Sequence, residues 1–151
     1  MTITPHRIFL DTNVFILGTT DATSAEARLL EWAGMGENSS AEVEIVVSPE
    51  LFDEIRRVGR RLYNKDWAGQ LMAYIWRQMR LHYVVIDKNE IGPIVETGLI
   101  PREDAEVYVI ARTGQADCFV SANHKLIRSL VENTGDFECL TPTEFVEKYL
   151  A

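Results

Sequence analysis

Ile8-Phe9-Leu10-Asp11-Thr12-Asn13-Val14-Phe15 joins three consecutive large apolar residues to a polar triplet, then turns apolar again. Successive side chains of a strand point to opposite faces, so a run that is apolar at every position needs cover on both. Ile45-Val46-Val47 repeats the pattern. Working outward from these runs, residues 7–10, 43–47, 83–86, 118–121 and 137–140 read as strands, separated by longer amphipathic stretches. That alternation predicts an α/β fold with a parallel sheet covered on both faces.

Several helix boundaries are legible. Thr23-Ser24-Ala25-Glu26 and Thr141-Pro142-Thr143-Glu144 fit the capping box, the second with proline at the first helical position. Ser48-Pro49 opens another helix by the same logic. Gly114, after Thr113, reads as a helix stop. No repeat, low-complexity tract or long linker divides residues 1–151, so one domain is expected.

Composition narrows the class. A hydrophobic fraction of 46% and a charged fraction of 25% are those of a globular protein. No apolar run reaches the roughly 18 residues needed to cross a bilayer, so no membrane partner is expected. Met1-Thr2-Ile3-Thr4-Pro5-His6-Arg7 lacks the layout of a secretory leader, and a cytoplasmic location is the expectation. Cys118 and Cys139 form no C-x-x-C pair and read as buried free thiols. The net charge of −8 argues against broad attraction to nucleic acid, although bound cations and local patches can reverse the field at a site.

In open parallel sheets the working site lies at the carboxyl ends of the strands. Asp11 ends the first strand and reads either as a turn or cap residue or as a site acid. In the helix after Ser48-Pro49, Leu51, Ile55, Val58 and Leu62 recur at helical spacing as a buried stripe. Glu54 lies on the border of that stripe, while Glu50 and Asp53 rotate toward solvent. In the helix from about Arg102 to Thr113, Asp104 shares a face with Tyr108 and Ala111, while Glu103 and Glu106 point elsewhere. Carboxylates that cluster raise one another's pKa unless a cation neutralises them. Hard oxygen donors select Mg²⁺ or Mn²⁺, and phosphodiester hydrolysis suits the resulting site.

Ile8-Phe9-Leu10-Asp11-Thr12-Asn13-Val14-Phe15 resembles the opening motif of PIN domains (PilT N-terminus type), including the single-domain VapC-like ribonucleases. Ser48-Pro49-Glu50-Leu51-Phe52-Asp53-Glu54-Ile55 is similar to the helix carrying their second acid. Asp104-Ala105-Glu106-Val107-Tyr108-Val109-Ile110-Ala111, with Ala116-Asp117-Cys118-Phe119-Val120-Ser121, resembles the third acid and the strand after it. The resemblance implies a three-layer α/β/α sandwich around a central, mainly parallel sheet of four or five strands. It also implies a Mg²⁺- or Mn²⁺-dependent endoribonuclease, a homodimer, and the possibility of an antitoxin protein partner. By motif, Asp11, Glu54, Asp104 and Asn123 form the catalytic and metal-binding set. Asn13 would order the first acid, Ser121 matches a hydroxyl near the fourth, and both are expected among the substrate-binding residues.

The chain departs from the pattern at that fourth position, where Asn123 replaces an aspartate and Lys125 stands two residues on. Asp117 precedes its strand and is expected at the opposite sheet edge. Asn123 reads equally as a helix N-cap, which keeps open a weakly active or inactive scaffold that binds RNA or protein. A phosphatase of the haloacid-dehalogenase type also begins with an apolar strand and an aspartate, but it needs a second aspartate where this chain has Asn13. Arg56, Arg57, Arg60, Arg61 and Lys65 concentrate positive charge; Arg57 and Arg61 are the candidate RNA phosphate contacts, against a plain solvated helix face. Trp67 and Trp76 read as base-stacking or dimer-surface residues or, more plainly, as packing; His124 reads as a phosphate contact or a structural residue, and His6 and His82 have no partner at zinc-ligand spacing.

Overall fold

The structure, a computed structural model, describes residues 3–36 and 42–151; Met1 and Thr2 of the N-terminal stretch lie outside the described residues. Five parallel strands form one sheet: β1 (Arg7–Leu10), β2 (Glu44–Val47), β3 (Arg80–Tyr83), β4 (Cys118–Val120) and β5 (Glu138–Leu140), in the order β3-β2-β1-β4-β5. Ile8, Phe9 and Leu10 are fully buried, as are Ile45, Val46 and Val47 and the whole of β4. Adjacent positions face opposite sides of a sheet, so burial of every position means that both faces are covered.

The covering helices are α1 (Thr12–Thr20), α2 (Ala25–Leu30), α3 (Pro49–Leu62), α4 (Lys65–Gln78), α5 (Ile91–Glu96), α6 (Arg102–Thr113), α7 (His124–Asn133) and α8 (Pro142–Phe145). Helix α1 packs on α2 and α3, α3 on α4, and α5 on α6, which also lies against β2. The chain runs outward from β1 to β3, then returns to lay β4 on the other side of β1. The carboxyl ends of β1 and β4 therefore flank the topological switch point, where ligands of open α/β sheets bind.

Local signals explain most boundaries. Ser48 caps α3 by accepting from the Leu51 N–H at 3.2 Å, with Pro49 at the first helical position. Thr141 and Glu144 form the complete reciprocal box at α8. At α2 the cap is Ser24, whose Oγ accepts from Ala27, while the Thr23 hydroxyl is bonded to Asp21; the expected box slips by one residue. The third strand also shifts, from the expected 83–86 to Arg80–Tyr83. Its partner β2 ends at Val47, where Ser48 turns the chain into α3, so after the Val84 N–H bonds Val47 no edge remains for Val85 and Ile86.

Helix α6 stops at Gly114, as expected, but for a different physical reason. Its φ of −76° is ordinary, and the left-handed residue is Gln115 at φ 54°. A Cβ on Gly114 would lie 2.5 Å from Cγ1 of Val46 in the central sheet. Glycine is needed here for close approach of helix end to strand. Gly114→Ala should cost about 1–3 kcal/mol through overpacking, and urea unfolding of the variant checks it; unchanged stability would show that Val46 gives way freely.

Both cysteines are buried and free. Cys118 stands opposite Glu138 and Cys139 opposite Phe119, so the two thiols project from opposite sheet faces. Burial pushes both thiols up, that of Cys139 to about 12, which leaves them unreactive. No helix among the described residues is long and apolar enough to cross a membrane.

Candidate functional site

Asp11 leaves β1 and caps α1, its Oδ1 accepting from the Thr12 N–H at 2.9 Å. Its backbone N–H still pairs with Val120, so the residue is fixed by both the sheet and the helix. The other carboxylate oxygen accepts the Ser121 hydroxyl at 2.8 Å. Ser121 is fully buried at the end of β4. Its Oγ also accepts from Asn13 Nδ2 at 3.3 Å and from the Asn123 N–H at 3.0 Å. Asn13 closes the loop, its Oδ1 accepting from the Ala122 N–H at 3.0 Å. Asn13 and Ser121 thus tie the ends of β1 and β4 together and orient Asp11. Their polar atoms bond within the protein, and Ser121 and Asn13 both reach the Asp11 carboxylate.

Asp11, Glu54 and Asp104 line one cleft of about 590 Å³, together with Thr12, Asn13 and Asn123. Helices α1, α3 and α6 each bring one wall to the switch point. Asp11 and Asp104 are 8% and 9% exposed, and Glu54 is half-buried. Each carboxyl is held above its ordinary range, chiefly by burial. For Asp11, burial outweighs the bonds from Ser121 and Thr12. For Glu54 the next cause is the negative charge of Asp11, and for Asp104 the charges of Glu103 and then Asp11. Asp11 therefore bears on both of the other acids, which come from separate segments.

The flanking residues correct several expectations. Glu103, expected to point away, lines the cleft at its exposed rim. Leu62 is 54% exposed rather than part of the buried stripe, and it too borders the cleft. The Glu50 side chain is only 16% exposed and faces Lys88 at 4.0 Å, while Asp53 is solvated as expected. Asp117 accepts from the His6 and Arg7 N–H groups at the amino edge of the sheet, the opposite edge from the site. Asn123 caps α7 through Oδ1, which accepts from the Leu126 N–H at 3.2 Å, while its residue still borders the cleft. Arg57 bears on Glu54 electrostatically and is exposed, as is Arg61. Trp76 stacks on Phe52 at 5.4 Å and Trp67 packs on Tyr63 at 4.4 Å, while Trp76 keeps 54% of its surface exposed.

Sequence reasoning passed over Thr12. It is 4% exposed and lines the cleft, and among the described residues its Oγ1 has no hydrogen-bond partner. The hydroxyl stands near enough to Glu54 to lower its carboxyl slightly, yet no acceptor meets it at bonding geometry. A buried polar atom left unpaired is uncommon and marks a position where a ligand or its water fits. Among the described residues no three His, Cys, Asp or Glu side chains stand close enough together to hold a metal ion by themselves. The donor set instead fits Mg²⁺ or Mn²⁺, which keep several waters and take one or two carboxylates directly.

The raised acids have a thermodynamic consequence. A carboxyl whose folded pKa exceeds its unfolded value favours folding at low pH, and that contribution is lost as pH rises from about 4 through the folded value. A cation binds the ionised form and acts in the opposite direction. The gain in melting temperature on adding Mn²⁺ should therefore grow as pH rises from about 4 toward neutrality. A gain independent of pH would place the ion away from these carboxyls.

The family described as PIN domain matches residues 7–125 of this sequence. No curated protein sequence matches the chain. A crystal structure of VapBC2 from Rickettsia felis, bound to a DNA fragment from its promoter, superposes with a TM-score of 0.60. The superposition covers 89% of this chain and 98% of that one, at 15% identity, a likeness of fold.

Proposed function

The chain belongs to the PIN-domain family, and from that membership we propose that it is a metal-dependent endoribonuclease. The observation that carries the reading is the convergence of Asp11, Glu54 and Asp104 in one cleft, each held above its ordinary carboxyl range. Carboxyls so placed are suited to a cation that would relieve their mutual repulsion. Bound there, Mg²⁺ or Mn²⁺ would sharpen a water as nucleophile and offset charge on a phosphoryl oxygen.

The protein's own groups do the rest. Asp11 is presented by the Ser121–Asn13 scaffold, and Glu54 and Asp104 complete the acidic wall. Thr12 offers its unpaired hydroxyl to a bound water. Arg57 and Arg61, on exposed positions of α3, hold RNA phosphates without reading sequence. An antitoxin protein and a homodimer belong to the same reading, the former supported by the fold shared with the VapBC2 structure.

A second reading, a PIN scaffold that binds RNA or protein without cleaving it, is favoured by one observation: the fourth position is a neutral residue whose carbonyl caps α7. Incubation with single-stranded RNA separates the two. Cleavage that requires Mn²⁺ and stops on chelation is expected. Folded protein that binds RNA with Mn²⁺ present and leaves it intact would establish the scaffold instead.

A further inference from the structure

Leu17, Leu62 and Tyr63 are large side chains that stand exposed, and all three meet in the cleft that holds the acids. Single exposed apolar residues are ordinary, but several gathered beside a polar site mark a contact surface. Helix periodicity puts them there. Glu54, Val58 and Leu62 recur every fourth residue on α3, as do Thr12, Ile16 and Thr20 on α1, and both rows line the cleft. From the acids each row runs about 12 Å along its helix, at 1.5 Å per residue. The cleft therefore has a carboxylate end and an apolar end.

Tyr63 closes the apolar end. It directly follows α3, is 48% exposed, and its ring lies against Trp67 with centroids 4.4 Å apart. Trp67 is itself pressed onto α3, since a Cβ on Gly59 would lie 3.0 Å from the indole. Tyr63 is thus an aromatic ring braced from behind and open toward solvent. One residue before Val58 and Leu62, Arg57 and Arg61 are exposed, a little over a quarter-turn outside the row.

The order of these features matches a nucleic-acid strand. A cation at the acids would meet one phosphate, the apolar trough and its ring an unpaired base, and the guanidinium rim further phosphates. A purely apolar segment would leave both charged flanks unmatched. In a duplex the faces of each base are covered by its neighbours, so only a single strand can offer one.

We propose that the apolar end of the cleft takes an unpaired RNA base flanking the phosphate held at the acids, stacked on Tyr63 between Leu17 and Leu62. The inference rests on the ribonuclease reading above and goes further by naming a base subsite and single-stranded RNA as the substrate class.

Binding of short single-stranded RNAs to the full chain carrying Asp11→Asn, which keeps them uncut, tests it. One nucleotide at a time is made abasic. At one position the abasic RNA should bind about tenfold more weakly, the loss of one base stack. Adding Tyr63→Ala should weaken the intact RNA by a similar factor, with the salt slope unchanged, because a neutral contact releases no counterions. It should also abolish the penalty of that abasic position, while Tyr63→Phe keeps both affinity and penalty. Duplex RNA should be indifferent to Tyr63→Ala.

Intact-RNA affinity unaltered by Tyr63→Ala, or an abasic penalty that persists in that variant, would take the base off Tyr63 and leave the ribonuclease reading standing. An equal loss on duplex RNA would make Tyr63 a structural prop. A folded protein that binds no RNA at all would remove the ribonuclease reading and the base subsite with it. Should Tyr63→Ala fail to fold, Tyr63→Leu keeps the apolar bulk without the π face and should give the same loss against the same RNAs.

Discussion

Asp11→Asn should lower RNA hydrolysis by at least about a hundredfold while leaving the fold and RNA binding in place. The magnitude follows from the several kcal/mol of transition-state stabilisation that a catalytic cation contributes, each 1.4 kcal/mol being tenfold. Asp11 is the acid nearest the heart of the arrangement: it follows the central strand, weighs on both Glu54 and Asp104, and is oriented by Ser121. Asparagine keeps the shape and an oxygen for the Thr12 N–H but removes the charge. The fold should survive because burial already disfavours the ionised form of Asp11. RNA affinity should hold or rise, since one negative charge leaves a cleft that must admit phosphate. Hydrolysis at the wild-type rate would remove Asp11 from the chemistry; loss of cleavage with loss of fold would make it a structural residue only.

Ser121→Ala has the second large effect, and on two observables. The hydroxyl serves three partners at once: it donates to Asp11 and accepts from Asn13 and Asn123. Removing it strips a buried carboxylate of a charge-assisted bond and leaves two donors short of an acceptor in a fully buried place. The expected cost is about 2–4 kcal/mol of folding stability at neutral pH, read by urea unfolding. Loss of the bond also lets the Asp11 carboxyl rise further, so Mn²⁺ affinity should fall about 10–100-fold. Ser121→Thr, which keeps a hydroxyl, should recover part of both. A stable alanine variant with unaltered Mn²⁺ affinity would mean that the carboxylate orients itself without this hub.

Much of this was legible before any coordinates. The parallel sheet could be read from Ile8-Phe9-Leu10 and Ile45-Val46-Val47, because a strand apolar on consecutive positions has only one kind of home. Asp11, Glu54 and Asp104 were singled out by position, one after a strand, one on the border of a helical stripe and one sharing a helix face with Tyr108 and Ala111. What escaped was set by tertiary context. The strand expected at 83–86 carries an apolar run, but pairing length is decided by β2, which turns away at Ser48. Gly114 looked like a conformational device, whereas its need is space beside Val46. Thr12 gave no signal because an unpaired hydroxyl is visible only once every neighbour is placed. Asn13 and Ser121 were noticed, but their bonds to each other across β1 and β4 depend on the strand order, which the sequence does not print. Asn123 was open to two readings, and its side-chain carbonyl caps α7 while the residue borders the cleft.

The central claim is that Asp11, Glu54 and Asp104 form one divalent-cation site, and calorimetric titration of the purified chain with Mn²⁺ beside Asp11→Asn tests it most directly. The wild type should bind Mn²⁺ and the variant should not, with both equally folded by circular dichroism. Equal binding by the two proteins, or no binding to the wild type up to millimolar Mn²⁺, would contradict it.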